Sequence, residues 1–163
     1  MKQMSIEQFH TPASPIRSAA FTGHRETAEG ETPNLEKTVI SLIERGVKTF
    51  YCGMAKGFDL IAAECVISLK EKYPDISLIA CVPCYGQEKN YSEKDKKRYV
   101  QILSKCTQNI LVSENYFKGC MQKRNRYMAD NADVLVAHLK KEKGGTAYTV
   151  NYFLKKNKEI FYV

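Results

Sequence analysis

The chain has no tryptophan, only three histidines and five prolines, and no stretch of the eighteen or more apolar residues that a membrane-spanning helix needs. Each shortage excludes something. Without a long apolar run no membrane partner is expected, and the opening MKQMSIEQFHTPASPIRS lacks the apolar centre of a signal peptide, so a cytoplasmic protein is expected. His10, His24 and His138 are too few to build a metal centre alone. The close pair Cys81 and Cys84 in CVPC has half of a zinc or redox spacing, but no second pair follows. No metal and no cofactor are expected, and CVPC reads as a strand end followed by a proline turn. The six cysteines fall within apolar strand and helix patterns, where reduced and mostly buried thiols are expected.

What is present is one domain's worth of core: 163 residues, 44% of them hydrophobic. The net charge of +7 is unevenly distributed. Residues 1–85 hold 9 Lys and Arg against 10 Asp and Glu, whereas residues 86–163 hold 16 against 8. Basic clusters around Lys94–Arg98, Lys118–Arg126 and Lys140–Lys143 can attract polyanions or simply form a solvated face.

The organising stretch is TFYCGMAKGFDLIAAE, Thr49 to Glu64. A β-branched and aromatic run breaks at Gly53 and Gly57, then resumes with Phe58, Ile61, Ala62, Cys65, Val66 and Leu69 at helical spacing. It reads as strand, glycine loop and helix, with the helix running to about Tyr73. Such a loop lets a phosphate approach backbone N–H groups at a positive helix end, and it also serves plain turn geometry. The rest of the chain repeats the alternation. After a loose arm over residues 1–16, strands are expected at Arg17–Thr22, Val47–Cys52, Ile76–Val82, Asn109–Ser113, Val134–Ala137 and Ile160–Val163. Between them lie five helices: one capped by Thr32 with Pro33 behind it, one after Gly57, one opened by Ser92 and Asp95, one carrying Arg124 to Met128, and one begun by Gly144-Gly145-Thr146 with Ala147, Val150 and Leu154 on its apolar side. Six strands alternating with five helices predict an α/β fold over residues 17–163, a single Rossmann-like three-layer α/β/α domain with a mainly parallel sheet.

In such a fold ligands bind beyond the carboxyl ends of the strands, and the unusual residues fall there. Gly23, His24 and Arg25 follow the first strand, Gly53 to Asp59 the second, Ser113 and Glu114 the fourth, and Lys143 to Thr146 the fifth. Arg25, Arg124 and Arg126 can clamp phosphate oxygens, and Gly144, Gly145 and Thr146 can offer a hydroxyl and helix N–H groups. Asp59 suits a ribose hydroxyl or a capping role; Glu114 suits a sugar hydroxyl, a base or a loop cap. His24 is a titrating group or a loop hydrogen-bonder, and Asn125 orients an arginine or reads a base edge. Tyr85, Tyr91, Tyr116 and Tyr127 either stack on a base or pack the rim.

Four ordered motifs, FTGHR (Phe21 to Arg25), GMAKGFDLIAAE (Gly53 to Glu64), SENYFKGCMQKRNRYMAD (Ser113 to Asp130) and GGTAYTV (Gly144 to Val150), resemble the YpsA-like branch of the SLOG superfamily. That superfamily also contains DNA-processing protein A and the Lonely Guy phosphoribohydrolases. The resemblance implies a Rossmann-like fold, a phosphate-binding crevice and a homodimer. Arg124 four residues before Met128 matches the phosphoribohydrolase pattern, but Thr149-Val150 stands where those enzymes carry a glutamate. Three functions are therefore open at one crevice. The first is binding of a nucleotide or nucleotide-derived phosphate ligand. The second is N-glycosidic hydrolysis of a nucleoside monophosphate, with Glu114 and Arg124 catalytic. The third is binding of single-stranded DNA.

Overall fold

A computed structural model describes residues 15–163; most of the expected N-terminal arm, residues 1–14, lies outside the described residues. Six strands, β1 (Ser18–Gly23), β2 (Thr49–Cys52), β3 (Ser77–Val82), β4 (Gln108–Leu111), β5 (Val134–His138) and β6 (Glu159–Tyr162), alternate with five helices, α1 (Leu35–Glu44), α2 (Phe58–Leu69), α3 (Glu93–Lys105), α4 (Cys120–Asn131) and α5 (Gly145–Lys155). All pairings are parallel, in the order β4-β3-β2-β1-β5-β6. The chain thus builds outward from β1 in one direction, returns, and builds outward in the other, which makes the β1/β5 boundary the place where a crevice opens.

Strand residues alternate between two apolar layers because side chains alternate across a pleated sheet. Phe21, Phe50, Val134 and Val136 face α1, α2 and α3, where Val39, Leu42, Leu60, Val66 and Ile102 close the larger core. Ala20, Leu135 and Ala137 face α4 and α5 and pack with Met128, Ala129, Val150 and Phe153. The small residues Ala19 and Ala20 of β1 let both layers approach the centre of the sheet.

The helix ends show where local signals were decisive. The Ser92 hydroxyl accepts the Asp95 N–H at 3.1 Å, so the expected cap exists. The Asp95 carboxylate does not complete the capping box; it accepts Arg98 instead, and the same guanidinium reaches Glu64 on α2. Ser92→Ala is expected to lower stability by about 1 kcal/mol in urea denaturation. At α1 the expectation fails: the cap position is Asn34, while the Thr32 carbonyl accepts the Leu35 N–H in a turn before the helix. Pro33 fits that turn as well as it fits a first helical position. Helix α2 stops at Leu69 rather than Tyr73, since residues 70–72 already turn toward Pro74. Along α5, Phe153 is buried and Leu154 is half exposed, so the apolar side runs one residue earlier than expected. The loop expected over residues 83–91 contains a short 3-10 turn at Gln87–Asn90.

Candidate functional site

Three loops and one face of helix α4 meet beyond the strand ends. A cavity of about 350 Å³ is lined by Gly23 at the end of β1 and His24 to Glu26 after it, by Ala55 and by Asp59 of α2, by the Met121–Met128 face of α4, and by Lys141 and Lys143 to Thr146 leading into α5. Of the expected site residues, Gly23, His24, Arg25, Asp59, Arg124, Asn125, Gly144, Gly145 and Thr146 share this cavity. Gly53 and Gly57 lie behind its wall rather than in it, Arg126 points its guanidinium at the Tyr148 hydroxyl (3.1 Å), and Glu114 is exposed near the edge of the sheet. The β4 edge position explains the last: two strands separate β4 from β1.

The two central glycines make room for protein. A Cβ on Gly53 would sit 2.7 Å from the Arg124 Cζ, and one on Gly57 would sit 2.6 Å from the His24 carbonyl oxygen and the Arg25 carbonyl carbon. Gly57 also has φ of +76°, a left-handed conformation that glycine adopts freely. Gly144 and Gly145 differ, for a Cβ on either would meet nothing within 4 Å. The glycine signal of the sequence thus has two meanings, close packing in the β2 loop and open backbone at the start of α5.

Arg124 is buried at 4% exposure, which for an arginine demands partners. Its Nη1 donates to the carbonyls of Gly53 and, at 3.4 Å, of Cys81; its Nε donates to Asn125 Oδ1 at 2.9 Å. Asn125 therefore orients an arginine. None of these bonds uses Nη2, so with respect to the described residues one edge of the guanidinium remains for the cavity it lines. Burial pushes the Asp59 carboxyl up to about 6, against the opposing pull of Arg124, the Ala55 N–H it accepts at 3.1 Å, and Arg25. Asp59 holds the β2 loop from inside the first turn of α2 and does not cap the helix, whose cap position is Gly57.

His24 Nε2 accepts the Lys140 N–H at 2.8 Å, tying the β1 loop to the β5 loop, and burial with Lys141 nearby lowers its pKa. It is a neutral loop tie at physiological pH. The sequence reading places Lys143 at the crevice, but it gives Lys141 only as part of a basic cluster and does not single out Met121 and Gln122; all four line the cavity. Their positions just before α5 and in the first turn of α4 were the available signal. Met54, buried with φ of +62°, carried none; its carbonyl accepts the Tyr91 hydroxyl at 2.9 Å. Cys81, its thiol pushed up to about 12 by burial, is the next-to-last residue of β3, and Val82 ends the strand before the Pro83 turn. Cys52, Cys84 and Cys120 are likewise buried free thiols. Among the described residues no group of three His, Cys, Asp or Glu is placed to hold a metal, and no helix is long and apolar enough to cross a membrane.

Known proteins resemble this chain in sequence and in fold. The chain is 31% identical over 122 residues to the UPF0398 protein BH1768 of Halalkalibacterium halodurans, and 26% identical over 114 residues to the UPF0398 protein YpsA of Bacillus subtilis. These alignments cover 74% and 69% of this chain but only 63% of each relative's length. The SPbeta prophage-derived protein YoqJ of Bacillus subtilis is 34% identical over 118 residues, 65% of this chain and 69% of that one. Among solved structures, DNA processing protein A from Streptococcus pneumoniae superposes with a TM-score of 0.66 at 19% identity, over 90% of this chain and 50% of that one. The Helicobacter pylori counterpart, a structure of a single-stranded DNA binding mode, gives 0.65 at 20%, over 91% and 65%. At these identities the structural likeness is one of fold. The model of the YspA SLOG family matches residues 20–162, all of the described sheet but its first two residues, and the chain belongs to that YpsA family.

Proposed function

We propose that the cavity binds a nucleotide or nucleotide-derived ligand through its phosphate. The carrying observation is the convergence on one cavity of the open Gly144-Gly145-Thr146 backbone at the N-terminus of α5, the free edge of Arg124, and Arg25, Lys141 and Lys143. Unpaired N–H groups at a helix start and a convergence of cations both favour a doubly charged oxyanion. Asp59 repels phosphate, so the ribose lies toward it and its hydroxyl donates to the carboxylate.

The hydrolase reading loses its acid: Glu114, which was to replace the missing glutamate, lines no part of this cavity, and Thr149, at the place expected for that glutamate, donates its hydroxyl to the Gly145 carbonyl. Single-stranded DNA keeps one supporting observation, the DNA binding mode of the Helicobacter pylori protein that shares this fold; its signature is affinity that collapses with salt.

Thermal-shift measurements with AMP test the proposal. At a hundred times its dissociation constant the ligand adds about 2.7 kcal/mol of stability by mass action. Gly145→Ala separates binding from folding. Alanine fits the empty space and is the better helix residue by up to about 1 kcal/mol, so the fold is expected to hold or gain while AMP affinity drops about tenfold as the methyl occupies phosphate space. No shift with AMP at millimolar concentration, or unaltered affinity in Gly145→Ala, would overturn the reading.

A further inference from the structure

A second cavity, of about 670 Å³, adjoins the first, and Arg25 and Met121 line both. It is built from the loops after β2, β3 and β4, with Lys56, Lys89, Tyr85 and Tyr116 in its lining. Among the described residues its charges are three cations, Arg25, Lys56 and Lys89, with no carboxylate. The first cavity, by contrast, mixes cations with Glu26 and Asp59. Tyr85 and Tyr116 are 73% and 72% exposed, so their rings are uncovered by the rest of the fold. Tyr91, the third tyrosine of the lining, is fixed by its bond to the Met54 carbonyl and by edge-on packing with Tyr99.

From this juxtaposition of an all-cationic cavity, two uncovered tyrosine rings and a shared arginine, we propose that the ligand is a dinucleotide: two nucleosides joined through phosphate, with its second base in the second cavity. This rests on the phosphate reading of the first cavity and extends it. A mononucleotide held at the α5 N-terminus leaves the larger of the two spaces unused, and the bridge out of the first cavity passes Arg25, the one cation common to both. There the linking phosphates gain a bidentate partner, and beyond it the second base stacks on Tyr85 or Tyr116. The cationic lining disfavours a positively charged ring, so a neutral purine is the base to test.

Isothermal titration of the full chain with AMP, diadenosine diphosphate and a short oligodeoxythymidine decides the matter, with the Tyr85→Ala/Tyr116→Ala variant beside the wild type. Both tyrosines are exposed, and an unchanged thermal midpoint verifies that the variant folds. Diadenosine diphosphate is expected to bind about tenfold or more tighter than AMP, as removal of a stacked base would predict. The double variant is expected to erase that advantage and leave AMP binding as it was. Equal affinity for the two nucleotides overturns the dinucleotide assignment while the phosphate reading stands, and so does an equal loss of AMP binding in the variant. Tighter, steeply salt-dependent binding of the oligonucleotide assigns the groove to single-stranded DNA instead. Tyrosine-dependent binding of diadenosine diphosphate without any AMP binding supports the second cavity and removes the separate phosphate site; binding of neither nucleotide overturns both.

Discussion

Asp59→Asn is expected to make the protein more stable above pH 6, by on the order of 3 kcal/mol, and to leave it nearly unchanged at pH 4. The sign follows from burial. The carboxyl is 5% exposed and its pKa stands at about 6 in the folded chain, above the 3.8 of an ordinary aspartate. A carboxyl raised in this way favours the protonated folded form, so its stabilising share is complete below pH 3.8 and is lost as pH rises through 6. Asparagine cannot ionise, keeps an oxygen for the Ala55 N–H and escapes the loss. Other carboxylates oppose the trend: Lys140 holds Glu31, and Lys156 holds Asp130, below the usual range, and these add stability as pH rises. The informative quantity is therefore the difference between variant and wild type in urea, taken from pH 4 to 8. A difference that is flat across that range would show that Asp59 ionises without penalty.

A residue that costs the fold this much at neutral pH is a candidate for function. Asp59 lies in the wall of the cavity, and under the proposed nucleotide reading its ionised carboxylate accepts from a ribose hydroxyl at a gain of about 1.5–3 kcal/mol. Asp59→Asn is thus expected to trade ligand affinity for stability.

Much of this was legible in the sequence, because its signals were local. The alternation of apolar runs with glycine-punctuated helices gave six parallel strands, and the rule that ligands gather at strand ends collected nine expected residues into one cavity. The failures share a cause. Glu114 follows a strand just as His24 does, and only the order of strands in space, which no local pattern carries, puts β4 at the edge. Arg124 reads from its neighbours in sequence as a phosphate clamp using its whole fork; it does line the cavity, but its Nη1 is committed to the Gly53 carbonyl 71 positions away, which leaves only the Nη2 edge for a ligand. The left-handed Met54 is invisible for the same reason, being held by Tyr91 from another loop.

The β2 loop glycines give the sharpest division between fold and function. Gly57→Ala is expected to lower stability by about 3 kcal/mol or more: the left-handed φ of +76° costs a side-chain-bearing residue about 1–2 kcal/mol, and driving a methyl against the main chain of His24 and Arg25 adds about 1–3. Relief by rotamer change is closed off, because the obstacle is backbone, and the Phe58 N–H already binds the His24 carbonyl at 3.1 Å beside it. The β1 loop would have to lift away from α2, carrying Arg25 out of the place it holds between the two cavities. Urea denaturation of Gly57→Ala beside Gly145→Ala then contrasts two glycines that the sequence presents alike: the first is expected to fail in folding, the second only in binding. If Gly57→Ala folded with wild-type stability and lost only its affinity for AMP, the β2 loop would be the phosphate cradle that its sequence suggests, and the division of labour between the two glycine loops would be the reverse of the one derived from their surroundings.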